Sequence, residues 1–178
     1  MASLFFPVKR LVAGLVAVCL LSGILFYAFG MKQSAVVFES EDGTLVYLPL
    51  TEGEAFSIQY THSIHLSEVC EMYRAEEDGT MTLYEMVYED YGVGMPSEAA
   101  EGEIFTIEEG KYKMSGMERN LPFFYMRTGQ VKADHMVVYG ENTRRLSDVI
   151  VPGSRVKVGM DKLAKWQLWR GVNMFEDG

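Results

Sequence analysis

Tyr73-Arg74-Ala75-Glu76-Glu77-Asp78-Gly79-Thr80-Met81-Thr82-Leu83 decides the fold class. Two short runs of aromatic, aliphatic and threonine residues flank Asp78-Gly79, a dipeptide that closes tight hairpins because glycine tolerates positive φ. The same arrangement recurs along the chain. Asp42-Gly43, Glu52-Gly53 and Glu109-Gly110 separate further alternating or β-branched runs. Read this way, extended segments lie at 35–39, 45–50, 55–61, 69–75, 81–89, 103–108, 111–115, 123–128, 135–139, 144–149 and 155–159. Residues 162–169 fit a last helical turn or a final strand equally well. Short strands spaced by ~8–12 residues, with no strand–helix–strand alternation, predict an all-β fold: an antiparallel β-sandwich or a small barrel-like domain.

Before this region the hydrophobic period is different. From Leu11 to Phe29 the chain reads LVAGLVAVCLLSGILFYAF, nineteen residues without a charge. At ~1.5 Å per residue that is roughly 28 Å, close to the ~30 Å hydrocarbon core of a bilayer. Lys9 and Arg10 precede it. The positive-inside rule then leaves residues 1–10 in the cytoplasm and sends the domain, residues 35–178, across the membrane. Phe26, Tyr27 and Phe29 cluster at the outer end. A cleaved signal, with Ala28 and Gly30 as the small-residue pair and secretion as the result, competes with this reading. The apolar part of such signals spans only ~7–15 residues, so an uncleaved single-pass anchor is favoured. Residues 31–34 are the only connection, which puts the domain close to the membrane. Of the two cysteines, Cys19 lies in the apolar run and Cys70 in the domain, so they do not pair.

Composition narrows the function. The chain has 178 residues and a formal charge of −9, which disfavours nucleic acid as a partner because that binding needs phosphate-neutralising cations. There is no phosphate-binding glycine loop and no dinucleotide fingerprint. Charge is unevenly spread: residues 39–118 hold 19 acids and 3 bases, residues 119–178 hold 6 acids and 10 bases. Acidic turns and edges that keep a β surface soluble account for the first part. A basic face around Arg144, Arg145, Arg155, Lys157, Lys162, Lys165 and Arg170 is the sharper reading of the second.

Two stretches stand out from ordinary strand-and-turn sequence. The first is Tyr60-Thr61-His62-Ser63-Ile64-His65-Leu66-Ser67-Glu68-Val69-Cys70-Glu71. It holds two of the three histidines, and His62, His65, Glu68 and Glu71 follow one another at intervals of three. Histidine with carboxylate suits a divalent ion. On a strand–loop–strand corner these side chains splay, however, and a hydrogen-bond network of His62, Ser63 and Glu71 pinning the corner is the stronger reading. From residue 69 onward Glu71 and Tyr73 share one face, with Cys70 and Met72 on the other. Neighbours on an extended chain point apart, so His62 and Ser63 do not make a base–nucleophile pair. The second stretch is Tyr91-Gly92-Val93-Gly94-Met95-Pro96, a sharp bend or a loop that lines a pocket. The candidate ligand-binding or structural set is therefore His62, Ser63, Glu71, Gly92 and Gly94. No catalytic residue, metal ligand or cofactor is assigned.

Taken together, Tyr60-Thr61-His62-Ser63-Ile64, Glu71-Met72-Tyr73, Asp78-Gly79 and Gly92-Val93-Gly94-Met95-Pro96 resemble the pattern of a bacterial family known as domain of unknown function 1850. The likeness runs from about residue 45 to 158. It departs at Glu68, where proline is common, at Cys70, where an acid is common, and at Val93, where alanine is common. The resemblance implies no established activity. It implies a partner: a membrane-anchored accessory or regulatory protein of tripartite ATP-independent periplasmic (TRAP) transporters of the TAXI type, meeting their permease or solute-binding protein. An extracytoplasmic ligand or metal sensor is the alternative.

Overall fold

The computed structural model describes residues 5–62, 66–90, 98–129 and 134–176. The first element is α1 (Phe5–Leu25), which widens into a π turn at Phe26–Gly30. The stretch Val8–Gly30, 23 residues, is long and apolar enough to cross a membrane and is not buried by the rest of the chain. Only Met31 separates it from β1 (Lys32–Ser40). The connection is thus shorter than the sequence suggests. Lys32, Gln33 and Ser34 lack a strand-like alternation of their own, but they pair with Ala164, Leu163 and Lys162 on a neighbouring strand.

After β1 the chain forms β2 (Leu45–Pro49), β3 (Ala55–Thr61), β4 (Glu68–Ala75), β5 (Met81–Tyr88), β6 (Ile104–Glu108), β7 (Lys111–Leu121) and β8 (Phe123–Arg127). It continues through β9 (Met136–Tyr139), β10 (Asn142–Arg145), β11 (Arg155–Ala164), α2 (Lys165–Arg170) and β12 (Val172–Asn173). One sheet runs β12-β2-β1-β11-β8 and the other β10-β9-β3-β4-β5-β7-β6. All pairings are antiparallel except that of β12 with β2. Val36, Phe38, Val46, Leu48, Val156 and Val158 from the first sheet pack against Phe56, Ile58, Tyr73, Leu83, Met86 and Met114 from the second. Phe38 meets Phe56 edge-on at 6.5 Å, and Tyr73 stacks on Phe124 at 5.2 Å, both across the gap between sheets. The fold is a β-sandwich behind one apolar helix.

Beyond the longer β1, the added β12 and shifts of one residue, three places differ from the sequence reading. The candidate strand at 111–115 continues to Leu121 through a bulge at Gly116. Met114 and Met117, three residues apart, both reach the core because the bulge resets the alternation. Residues 144–149 split into the end of β10 and a 3₁₀ turn at Leu146–Asp148. Residues 162–169 are strand and helix in succession, β11 giving way to α2 at Lys165. Gly116 combines a left-handed backbone with a close backbone neighbour. Its φ is +68°, and a Cβ there would sit 3.0 Å from the carbonyl oxygen of Gly102. Gly116→Ala is expected to lower stability by about 1–3 kcal/mol in urea titration. Gly43→Ala shares the positive φ (+86°) but meets nothing within 4 Å, and should cost clearly less.

Candidate functional site

Among the described residues, the middle strands of the seven-stranded sheet present an inner face that is apolar save for the Glu71 carboxylate and the hydroxyls around it. β3 and β4 pair so that Ile58 faces Glu71, Phe56 faces Tyr73 and Tyr60 faces Val69. Glu71 is next paired with Met86, and Met86 with Met114, so one row across the sheet reads Val137, Ile58, Glu71, Met86, Met114. An ionised side chain in such a row requires donors. Two tyrosines supply them. Tyr73 Oη donates to Glu71 Oε2 at 2.7 Å, and Tyr60 Oη donates to Glu71 Oε1 at 3.2 Å.

Burial pushes the Glu71 carboxyl above its usual range, and the hydrogen bonds from Tyr73 and Tyr60 pull partly against it. The same burial, with the charge of Glu71, holds both phenols protonated far above neutral pH. The phenols are therefore permanent donors, and the carboxylate is the group that titrates. Tyr60 also stacks on His135 at 5.1 Å, and the Nδ1 of His135 accepts the N–H of Gly129 at 3.3 Å. Tyr73 is sandwiched between Phe56 (5.4 Å) and Phe124 (5.2 Å). The cluster is aromatic and half-buried: Tyr73 is buried, whereas Glu71, Tyr60 and His135 keep partial exposure.

Of the residues singled out from sequence, Glu71 sits at this centre, in the middle of β4. His62 lies just past the end of β3, where its N–H donates to Ser67 O at 2.8 Å and its carbonyl accepts the N–H of Leu66 at 2.9 Å. Leu66 has a φ of +56°. Four positions along β3 separate His62 from Ile58, the partner of Glu71, or roughly 13 Å at ~3.3 Å per residue. The structure does not bring the two together. Ser63, His65, Gly92 and Gly94 lie outside the described residues. Among the described residues, no group of three or more His, Cys, Asp or Glu side chains is placed to hold a metal ion.

The outer face of the same sheet carries a cleft of about 320 Å³, bordered by Gln59, Thr61, Glu68, Cys70, Lys111 and Arg145. Its cations are already engaged. Lys111 bridges Glu89 (3.1 Å) and Glu68 (3.4 Å), and Arg145 meets Asp134 at 3.2 Å. Burial pushes the Cys70 thiol up, so it stays protonated at neutral pH. Cys70 in the folded chain is expected to react with a disulfide reagent at least tenfold more slowly than in 6 M guanidinium. Comparable rates in the two conditions would contradict this.

The basic residues of the last third do not form one face. Arg155 and Lys157 lie on the outer face of the five-stranded sheet, Arg155 over the Tyr125 ring (3.9 Å) and Lys157 over the Phe123 ring (4.8 Å). Arg144 and Arg145 belong to β10, at the far edge of the other sheet. Within the acidic stretch, β7 supplies much of the compensation: Lys111 as above, Lys113 to Glu85 at 3.2 Å and Arg119 to Glu103 at 3.1 Å.

Sequence reading missed Tyr60, Tyr73 and His135 as members of the cluster. Placing Glu71 and Tyr73 on one face was the available signal, since a carboxylate sharing the buried face of a strand needs a donor there. A protein family described as a domain of unknown function (DUF1850) matches residues 56–146, just over half of the chain. That range begins at β3 and ends just after β10, so it covers the seven-stranded sheet and the Glu71 cluster. No curated protein and no solved structure matches the chain.

Proposed function

The chain belongs to the DUF1850 family, and from that premise we propose that it is a membrane-anchored, extracytoplasmic accessory or regulatory protein of a TRAP-type (TAXI) solute transport system, acting by contact rather than by catalysis. The observation that carries this reading is the passage from the apolar helical stretch, which ends in the π turn at Gly30, into β1 with a single residue between them. A helix that enters the first strand of the sandwich without a linker holds that sandwich against the bilayer, within reach of a permease and of a solute-binding protein docking on it. Lys9 and Arg10 before the apolar stretch support an outward-facing domain. The Glu71 carboxyl, held by two tyrosine hydroxyls, and the Cys70 thiol, kept protonated by burial, support a non-enzymatic role.

Full-length protein, tagged and solubilised in mild detergent, is expected to retain a multi-spanning permease or an extracytoplasmic solute-binding protein of that class. An unrelated single-pass protein serves as the control. Recovery of neither above that control would overturn the transporter reading. One observation favours a second reading, an extracytoplasmic ligand sensor: the 320 Å³ cleft over Cys70. It predicts a rise in melting temperature with one class of small solute and its loss in Gln59→Ala. A broad solute screen with no shift removes it.

A further inference from the structure

The only two tryptophans of the chain, Trp166 and Trp169, lie three residues apart on α2, one turn of a helix and hence one side of it. The other side is committed to the fold. Leu168 packs with Ala35, Val37, Tyr47 and Leu163 on the outer face of the five-stranded sheet. The helix is held firmly there: the Gln167 side chain accepts the N–H of Ala164 at 2.9 Å, and the chain leaves at Gly171, where a Cβ would lie 2.7 Å from Leu45 Cδ2. Trp166 and Trp169 are consequently displayed outward, 37% and 67% exposed.

What they face is the end of the apolar helix. Tyr27 lies 6.3 Å from Trp169 and Phe29 lies 6.2 Å from Trp166, ring centre to ring centre. Four aromatic rings thus gather at the end of a stretch long enough to cross a membrane, the depth at which amphipathic rings partition. Lys165 and Arg170 bracket the tryptophans, and Lys32 opens the adjoining strand. Basic residues at that depth meet lipid phosphates.

We propose that the Trp166–Trp169 face of α2, with Lys165 and Arg170, lies in the headgroup region of the bilayer and docks the sandwich onto an anionic lipid surface. The inference rests on the anchor reading above. A membrane contact of this kind fixes the tilt of the sandwich as well as its distance from the bilayer, so that one set of loops faces a membrane partner. Lipid is the occupant because the patch continues the apolar span without a break and carries cations on its rim.

The tryptophans make the test selective, since no other indole contributes emission. Full-length protein is reconstituted in phosphatidylcholine vesicles with or without phosphatidylglycerol, the lipids brominated near the glycerol end of the acyl chain. Emission is expected to be blue-shifted and to fall to roughly half or less in brominated vesicles, with Trp166→Phe and Trp169→Phe each leaving one quenchable indole. Lys165→Gln with Arg170→Gln should weaken quenching only where phosphatidylglycerol is present. Equal quenching by both lipids, unchanged in the double variant, overturns the anionic preference. Protein that floats with the vesicles while its emission is red, unquenched by bromine and open to iodide overturns the docking and leaves the anchor standing. Protein that fails to float at all overturns both.

Discussion

Glu71→Ala is expected to cost about 2–4 kcal/mol of folding stability, because it strands the Tyr60 and Tyr73 hydroxyls in an apolar layer and leaves a gap beside Met86. Glu71→Gln keeps an acceptor for the tyrosines and removes the charge, so it should restore most of the loss. The two variants also differ in pH dependence. Burial places the folded carboxyl above its ordinary value of 4.5, so the folded chain holds a proton over a range where the unfolded chain has released it. Stability changes with pH in proportion to protons bound unfolded minus folded, and here that difference is negative. The contribution of Glu71 is fully present below the unfolded value, shrinks as pH rises towards the raised folded value, and is constant above it. Urea titrations between pH 4 and 8 should show this decline in the native chain and a flatter profile in Glu71→Gln. Equal destabilisation by alanine and glutamine, with both profiles unchanged, would mean that the carboxylate is not the buried centre described above.

Phe38→Ala should cost about 3–5 kcal/mol, the range for a fully enclosed phenylalanine. Phe38 has no exposed surface and touches both layers, lying on β1 and meeting Phe56 on β3 edge-on. The same variant tests whether the sheets are one cooperative unit. Tryptophan emission reports α2 on the five-stranded sheet, whereas near-ultraviolet dichroism also draws on tyrosines of the seven-stranded one, among them Tyr60, Tyr73, Tyr88 and Tyr112. The two signals should move together to one lower midpoint. If dichroism holds while emission shifts, the layers unfold separately and the shared core is wrong.

Much of this fold was legible because each strand carries its own alternation and most turns their own glycine. Gly43, Gly53, Gly79 and Gly110 all adopt positive φ at the turns assigned to them. The failures have physical causes. Gly116 looks like a strand end, yet the ladder on either side outweighs one glycine, and a bulge absorbs the mismatch. β12 is two residues long and exists only because Val172 and Asn173 meet Val46 and Tyr47, a long-range pairing that no local pattern announces. Lys32–Ser34 became strand for the same reason. At the site, the His62–Glu71 stretch drew notice through its spacing of threes, which matters on a helix and not on two strands joined by a corner. The informative spacing was two, from Glu71 to Tyr73, and the third member, Tyr60, came from the β3–β4 register. His135 is 64 positions from Glu71 in the chain, and no short motif links them.

Every functional reading above requires residues 32–178 to be outside the cytoplasm and still joined to α1. The direct measurement is alkaline phosphatase fused after Gly178 of the full-length chain, assayed in the washed membrane fraction with the mass of the fusion read alongside. The predicted result is active enzyme, held in the membrane, with residues 1–30 intact. An inactive fusion, paired with a fluorescent cytosolic reporter at the same position, would contradict the outward domain and every partner proposed for it.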